Sequence, residues 1–246
     1  MTFSDDEIER YARHLVLAEV GGPGQQRLKA ARVGLVGLGG VGAPAALYLA
    51  AAGVGTLRLI DDDVVALSNL QRQIAFDAAD IGRPKVEAGA DALAALNPHV
   101  RIEAVAERLT EANAGRLIED CDVVLDGTDD FATRFAVNAA CVAARVPLVS
   151  GALGRWSGQV GVFAGRPCYQ CLVPAAPPDA ATCARVGVIG ALAGVVGSMA
   201  ALEAIKQITG AGRPLTGRLL IYDGLAGTAR TVTVAADPGC PVCASV

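Results

Sequence analysis

Apolar positions along this chain fall into two textures. Residues 33–36 form a continuous apolar run, which predicts a strand buried on both faces. The pattern then predicts a helix over 41–52 and a strand over 57–60 that ends at Asp61. The alternation continues with helices over 85–96, 110–119 and 134–144 and strands over 101–105, 122–126 and 147–150. Strands alternating with helices predict a Rossmann-like α/β fold with a mostly parallel, doubly wound sheet. Upstream, Ser4-Asp5-Asp6-Glu7 is a capping box, so a helix is expected from near Asp5 to about Glu19. Gly21-Gly22-Pro23-Gly24 is expected to break it, with a short second helix over 25–30. Beyond Trp156 the texture changes, and residues 159–163, 218–222 and 230–234 read as short strands without intervening helices, an antiparallel extension of the sheet. The expected organisation is a single domain over 1–246: N-terminal helices (1–30), a nucleotide-binding core (31–155) and an antiparallel extension (156–246).

Composition narrows the class. The formal charge is −4 and the isoelectric point about 5.2, which leaves no basic face for a phosphate backbone. Aromatic residues are 4% of the chain, too few for a base-stacking platform, so nucleic-acid binding is not expected. The charged N-terminus MTFSDDEIERYARHL is not a signal peptide. The uncharged stretch 186–202 is 17 residues, short for a bilayer, and reads as a buried helix of a soluble core with no membrane association. Seven cysteines without a leader point to a reducing, cytoplasmic setting.

Gly37, Gly39 and Gly42 stand at G-x-G-x-x-G spacing between a strand and a helix. There the backbone N–H groups of Leu38 to Val41 and the helix N-terminus can face an anion. Asp61, 24 residues after Gly37, can accept from a ribose hydroxyl. This much fits NAD or ATP. The residues that follow tilt towards a triphosphate. Arg72 offers a planar fork and Lys85 a point charge. Asp129, after the strand over 122–126, is placed to hold Mg²⁺. Each alone would pass for a solvated charge; together they sit at the carboxyl ends of strands.

Cys168-Tyr-Gln-Cys171 and Cys240-Pro-Val-Cys243 are two C-x-x-C knuckles, 68 residues apart. Four thiolates suit tetrahedral Zn²⁺; two redox pairs are the rival, disfavoured because neither knuckle opens a helix after a strand. Cys183 stands alone before the long apolar segment, where a helix N-terminus and Arg185 would activate it, or where it is an inert thiol. Cys121 and Cys141 sit inside apolar segments as filler.

RYARHL, VGLGGVG, LIDDDVVALSNLQRQ, RPK, VLDGTDD, CYQC, CARVGVIG, LEAIKQITG and GCPVC follow one another from Arg10 to Cys243. In these stretches the chain resembles the ThiF/MoeB/HesA group, bacterial relatives of ubiquitin-activating enzymes. The resemblance implies an ATP-dependent adenylyltransferase. Its substrate would be the C-terminal Gly-Gly of a ubiquitin-like sulfur-carrier protein, activated for thiamin, molybdopterin or related thiolation pathways. It implies that Gly37, Gly39, Gly40 and Gly42 lie against the nucleotide and Asp61 takes the ribose. Asn69, Arg72 and Lys85 would bind phosphates and Asp129 hold Mg²⁺, with Asp63, Ser68, Gln73 and Asp130 beside them. Arg13 matches an arginine that reaches the other subunit's site, which implies a homodimer. Cys183 falls where the thiamin branch links covalently to its carrier. With no appended sulfurtransferase domain, a separate sulfur donor is expected. Asp130 departs from the family's usual Asn. Two alternatives remain open: a non-catalytic, nucleotide-gated module for a ubiquitin-like tail, and an NAD-linked oxidoreductase.

Overall fold

The computed structural model describes residues 2–177 and 187–245; Cys183, Arg185 and the start of the 186–202 stretch lie outside them. Helices α1 (Asp5–Arg10), α2 (Ala12–Leu15) and α3 (Gly21–Ala30) precede the sheet. The alternating core follows as β1 (Arg32–Val36), α4 (Gly42–Ala51), β2 (Thr56–Ile60), α5 (Lys85–Leu96), β3 (Arg101–Val105), α6 (Ala114–Leu117), β4 (Val123–Asp126), α7 (Phe131–Ala144) and β5 (Leu148–Gly154). Then come β6 (Ser157–Phe163), α8 (Tyr169–Leu172), α9 (Gly190–Thr209), β7 (Arg218–Asp223) and β8 (Thr228–Thr233).

The eight strands form one sheet in the order β3-β2-β1-β4-β5-β6-β7-β8. β1 to β5 are parallel, and β6, β7 and β8 join antiparallel. The central strands β1 and β4 are buried on both faces, as the apolar run at 33–36 requires, while β3 at the edge is partly exposed. Val33, Leu35, Leu57, Leu59, Val123 and Leu125 point into the layer shared with α4, α5 and α9. Val36, Ile60 and Val124 point the other way, into the layer of α6 and α7. Helix α9 is the one described helix long and apolar enough to cross a membrane. It is a core helix: Leu192, Val196, Ala200 and Ala204 are buried. It lies so close to α4 that a Cβ on Gly197 would sit 2.5 Å from Pro44.

Several boundaries depart from the sequence reading. The expected N-terminal helix is two, because the backbone turns at Tyr11 to drive its ring inward, where it is 3% exposed. Gly21-Gly22-Pro23-Gly24 opens α3 instead of ending a helix. Pro23 falls in the first turn, where a missing N–H costs no helical bond. The helix expected over 110–119 contracts to 114–117. The Asn113 carboxamide oxygen accepts from the Thr110 N–H at 2.7 Å and offers the backbone a turn in place of a helix. α7 begins earlier than 134, because Asp130 caps it through the Thr133 N–H at 3.0 Å. The uncharged stretch gives a helix that starts at Gly190 and runs past Leu202 to Thr209.

Candidate active site

Strands β1 and β4 are neighbours, but the chain visits β2 and β3 between them. Such a reversal opens a crevice beyond the carboxyl ends of the two strands. Here it holds a cleft of about 500 Å³, walled by the turn after β1, the segment after β2, the loop after β3, residues 127–134 and the start of the β5 hairpin.

The three motif glycines do different work. Gly37 has φ +82°, and a Cβ there would meet Thr128 at 2.9 Å. A Cβ on Gly42 would lie 1.9 Å from the Gly37 carbonyl oxygen, so this glycine lets α4 pack onto the turn. Gly39 faces the cleft, with nothing nearer than Gln73 at 3.9 Å. The Leu38 N–H, expected to face an anion, is taken: it donates to the Asp61 carboxylate at 2.6 Å. Asp61 also accepts from the Asp63 N–H at 2.9 Å. Burial raises its carboxyl above the ordinary range, against the pull of Lys85 and those two N–H groups.

Cations and acids gather around this turn. Lys85, 4% exposed at the start of α5, pairs with Asp63 at 2.7 Å. Arg72 folds back to donate to the Ser68 carbonyl at 2.9 Å, and its stem passes beside Gly40. Asn69 accepts from the Ala66 N–H at 3.0 Å and lines the cleft. Gln73 is 3% exposed, and its side-chain oxygen is the one buried side-chain N or O atom without a hydrogen-bond partner among the described residues. Gln73 lines the cleft, and a buried polar atom left without a partner beside a cleft fits a site built around a ligand. Across the cleft, the exposed Asp129 makes no ion pair among the described residues. Asp130 is occupied: it accepts from the Thr133 N–H and hydroxyl and pairs with Arg108 at 3.3 Å. Burial raises its carboxyl, but those bonds outweigh it and hold the group below its usual range.

Sequence reasoning missed the group that sets this acidic wall. Arg134, 5% exposed, donates to the carbonyls of Thr128 and Gly151 (the latter at 2.8 Å) and to the Ser150 hydroxyl at 3.2 Å. It also lies 3.6 Å from Asp126, itself 1% exposed. One guanidinium thus ties the loop after β4 to β5. Burial opposes its charge, yet Asp126 holds its pKa above the ordinary value. Arg134→Met strands the Asp126 carboxylate in the core, so a loss of about 3–5 kcal/mol in urea unfolding is expected. Unchanged stability would show that the pair carries no such weight. Arg134 is four residues past the strand-end aspartates, in a helix whose early start hid its inward face. Glu107, Arg108 and Leu109, also in the cleft wall, follow β3 and were findable from the strand-end rule.

The cysteine knuckles converge at a separate place. The sulfurs of Cys168, Cys171, Cys240 and Cys243 all lie within 4.8 Å of one another. Cys168 is 3.6 Å from Cys240 and Cys171 is 3.4 Å from Cys243. These gaps are far from the ~2.05 Å of a disulfide. They are close to the about 3.8 Å edge of a zinc tetrahedron with ~2.3 Å bonds. The donor set therefore fits Zn²⁺. Burial raises the Cys168 and Cys243 thiols, the latter to about 12, while at Cys240 burial is outweighed by N–H groups of Cys243 and Val242, which bring it down to about 7, so a metal would have to displace protons from the rest of the cluster. The Asn138 amide and the Asp237 N–H donate to Cys168 and Cys171.

Among the proposed site residues, Ser68, Gly42 and Arg13 do not line the cleft. Ser68 reaches it through Arg72, and Gly42 through its packing on Gly37. Arg13 is exposed on α2. Cys183 falls outside the described residues.

Comparison with known proteins gives a consistent answer. The model of the ThiF family matches residues 11–242. The chain is 47% identical over 243 residues to the molybdopterin-synthase adenylyltransferase of Escherichia coli K12, covering 98% of both proteins. It is 46% identical to the sulfur carrier protein adenylyltransferase of Thermus thermophilus, covering 99% of this chain and 93% of that one. Among solved structures, Escherichia coli MccB superposes with a TM-score of 0.84 at 22% identity, over 98% of this chain and 73% of that chain, a likeness of fold.

Proposed function

The chain belongs to the ThiF family, and on that premise we propose the course of its reaction. It is an ATP-dependent adenylyltransferase of a ubiquitin-like sulfur-carrier protein. A carboxylate oxygen of the carrier's C-terminal glycine attacks the α-phosphorus of ATP. The new P–O bond forms as the bond to the β-bridging oxygen breaks, pyrophosphate departs, and an acyl-adenylate remains. A separate donor then delivers sulfur to the acyl carbon and AMP leaves. The product is a thiocarboxylate for molybdopterin, thiamin or related biosynthesis.

Both reactants are anionic and a carboxylate is a weak nucleophile, so the task is positioning and charge neutralisation. The turn around Gly37, Gly39 and Gly40 lies under the phosphates. Asp61, already fixed by Leu38 and Asp63, accepts from the ribose. Arg72 and Lys85 exchange the Ser68 carbonyl and Asp63 for phosphate oxygens, and Asn69 donates its amide. Gln73 accepts a hydrogen bond that the substrate brings. Asp129 would hold Mg²⁺, which would supply positive charge against the phosphates and the departing pyrophosphate. The four clustered cysteines would hold Zn²⁺ as a structural ion. Arg13 serves the site of a second copy. Its helix is packed at the far end of the 10-residue α4, about 15 Å from the glycine turn at the near end and beyond an arginine's reach. The protein then works as a homodimer with composite sites, in the cytoplasm.

The observation that carries this reading is the meeting of Arg72, Lys85 and Asp129 around the glycine turn in one cleft. The test is exchange of labelled pyrophosphate into ATP. Exchange is expected only with Mg²⁺ and a carrier ending in Gly-Gly. Binding of carrier and ATP without exchange would leave a nucleotide-gated docking module instead.

A further inference from the structure

Arg13 sits in an arm whose attachment is more elaborate than its size requires. Helix α2 is a single turn of four residues with no side-chain cap at its N-terminus. A turn that short has no conformation of its own in water. Its direction must come from what holds its two ends.

Both ends are held by buried polar groups. Two residues before Arg13, the Tyr11 hydroxyl accepts from the Asn97 amide at 2.8 Å. The same amide donates to the Ala50 carbonyl at 2.7 Å, and Asn97 is fully buried. The Tyr11 ring lies against Gly53, φ +79°, where a Cβ would come within 2.4 Å of it. One residue after Arg13, His14 bonds the Gln25 side-chain oxygen at 2.9 Å. The Gln25 amide in turn donates to the Ala52 carbonyl at 2.8 Å, and Gln25 too is fully buried. The two tethers converge on Ala50, Ala52 and Gly53 at the end of α4. Arg13 lies between them, exposed and without a hydrogen-bond or ion-pair partner among the described residues.

We propose that the Tyr11–Asn97 and His14–Gln25 tethers are positioning devices for Arg13, fixing the angle at which its guanidinium leaves this chain for the site of a second copy. This rests on the reading of Arg13 given above. An apolar contact would hold the arm to the core equally well but would leave it free to turn about its own axis. Directional bonds on both sides of one residue remove that freedom. A cation that must find phosphate oxygens on another subunit gains from this, since a loosely aimed side chain loses effective concentration at its target.

The test is a double-mutant cycle on pyrophosphate exchange. Tyr11→Phe keeps the ring against Gly53 and removes only the hydroxyl. It is expected to lower kcat about tenfold at saturating ATP, with the melting temperature lowered by only about 2–4 °C for the lost hydrogen bond. Arg13→Ala is expected to lower kcat about a hundredfold, with measurable residual activity. In the Arg13→Ala background, Tyr11→Phe should then cost nothing further. Equal losses in both backgrounds would show a merely structural tyrosine and overturn the proposal. So would full activity of Tyr11→Phe. If Tyr11→Phe does not fold, His14→Ala, which severs the other tether, enters the same cycle with the same expectations. If Arg13→Ala retains full exchange, the reading of Arg13 falls and this proposal with it, while the adenylation reading stands on the exchange itself.

Discussion

Asp129→Ala abolishes pyrophosphate exchange, by at least about 10³-fold, and leaves the melting temperature within about 2 °C of the parent protein. The two halves of this expected result have different physical sources. Asp129 is exposed, and no ion pair or hydrogen bond among the described residues uses its carboxylate, so the fold loses nothing when it goes. It lines the cleft beside Thr128, which abuts the glycine turn, with its carboxylate free to serve a phosphate-bound cation. Asp130 supplies the control. Its carboxylate caps α7 and pairs with Arg108, so it is committed to structure. Asp130→Asn keeps an N-capping oxygen and is expected to retain exchange within a few-fold. Full exchange by Asp129→Ala, or its loss in Asp130→Asn with Asp129 intact, would reverse the assignment.

Loss of one sulfur should unmake the cysteine cluster as a whole. Cys240→Ser is expected to reduce bound zinc from about one ion per chain to near none, since a three-thiolate site is open and weak. Stability is expected to drop by several kcal/mol. The clamp joins α8 to the segment after β8, which has no other long element to hold it. Limited proteolysis should therefore cut after Val234 in the variant and spare the parent. Zinc content by atomic emission and urea melts check the two parts. If the parent carries no zinc and an oxidant locks the sulfurs in pairs, the redox reading replaces the metal one.

Much of the fold could be read from the chain because its strongest signals are local. The run at 33–36, the glycine spacing and the alternation to Ser150 each follow from burial on two faces or from one tight turn. The antiparallel extension was legible from its short strands, but two helices, α8 and α9, stand between β6 and β7, and only β7 and β8 follow one another directly. What escaped depended on contacts made far along the chain. Tyr11 breaks the first helix because Gly53 and Asn97 receive its ring and hydroxyl, partners that no local window contains. Pro23 looked like a stop and is a start, since only the first turn tolerates it. The cleft gathered Arg72, Lys85 and Asp129 as their strand-end positions implied. Arg134 was overlooked because an arginine inside an apolar helix reads as surface until Asp126 and two carbonyls are seen beneath it.

The Lys85–Asp63 pair makes the cleft choosy. A lone, unattached ammonium would condense any anion in the cell, from chloride to orthophosphate. Here the lysine already has a counterion at 2.7 Å, and an incoming anion must displace it. A small singly charged species offers too little in return for that swap, whereas a polyphosphate that engages Arg72 and the glycine turn at the same moment offers enough. The acid beside the lysine thus works as a built-in competitor, keeping the pocket quiet toward the commonest ions of its surroundings.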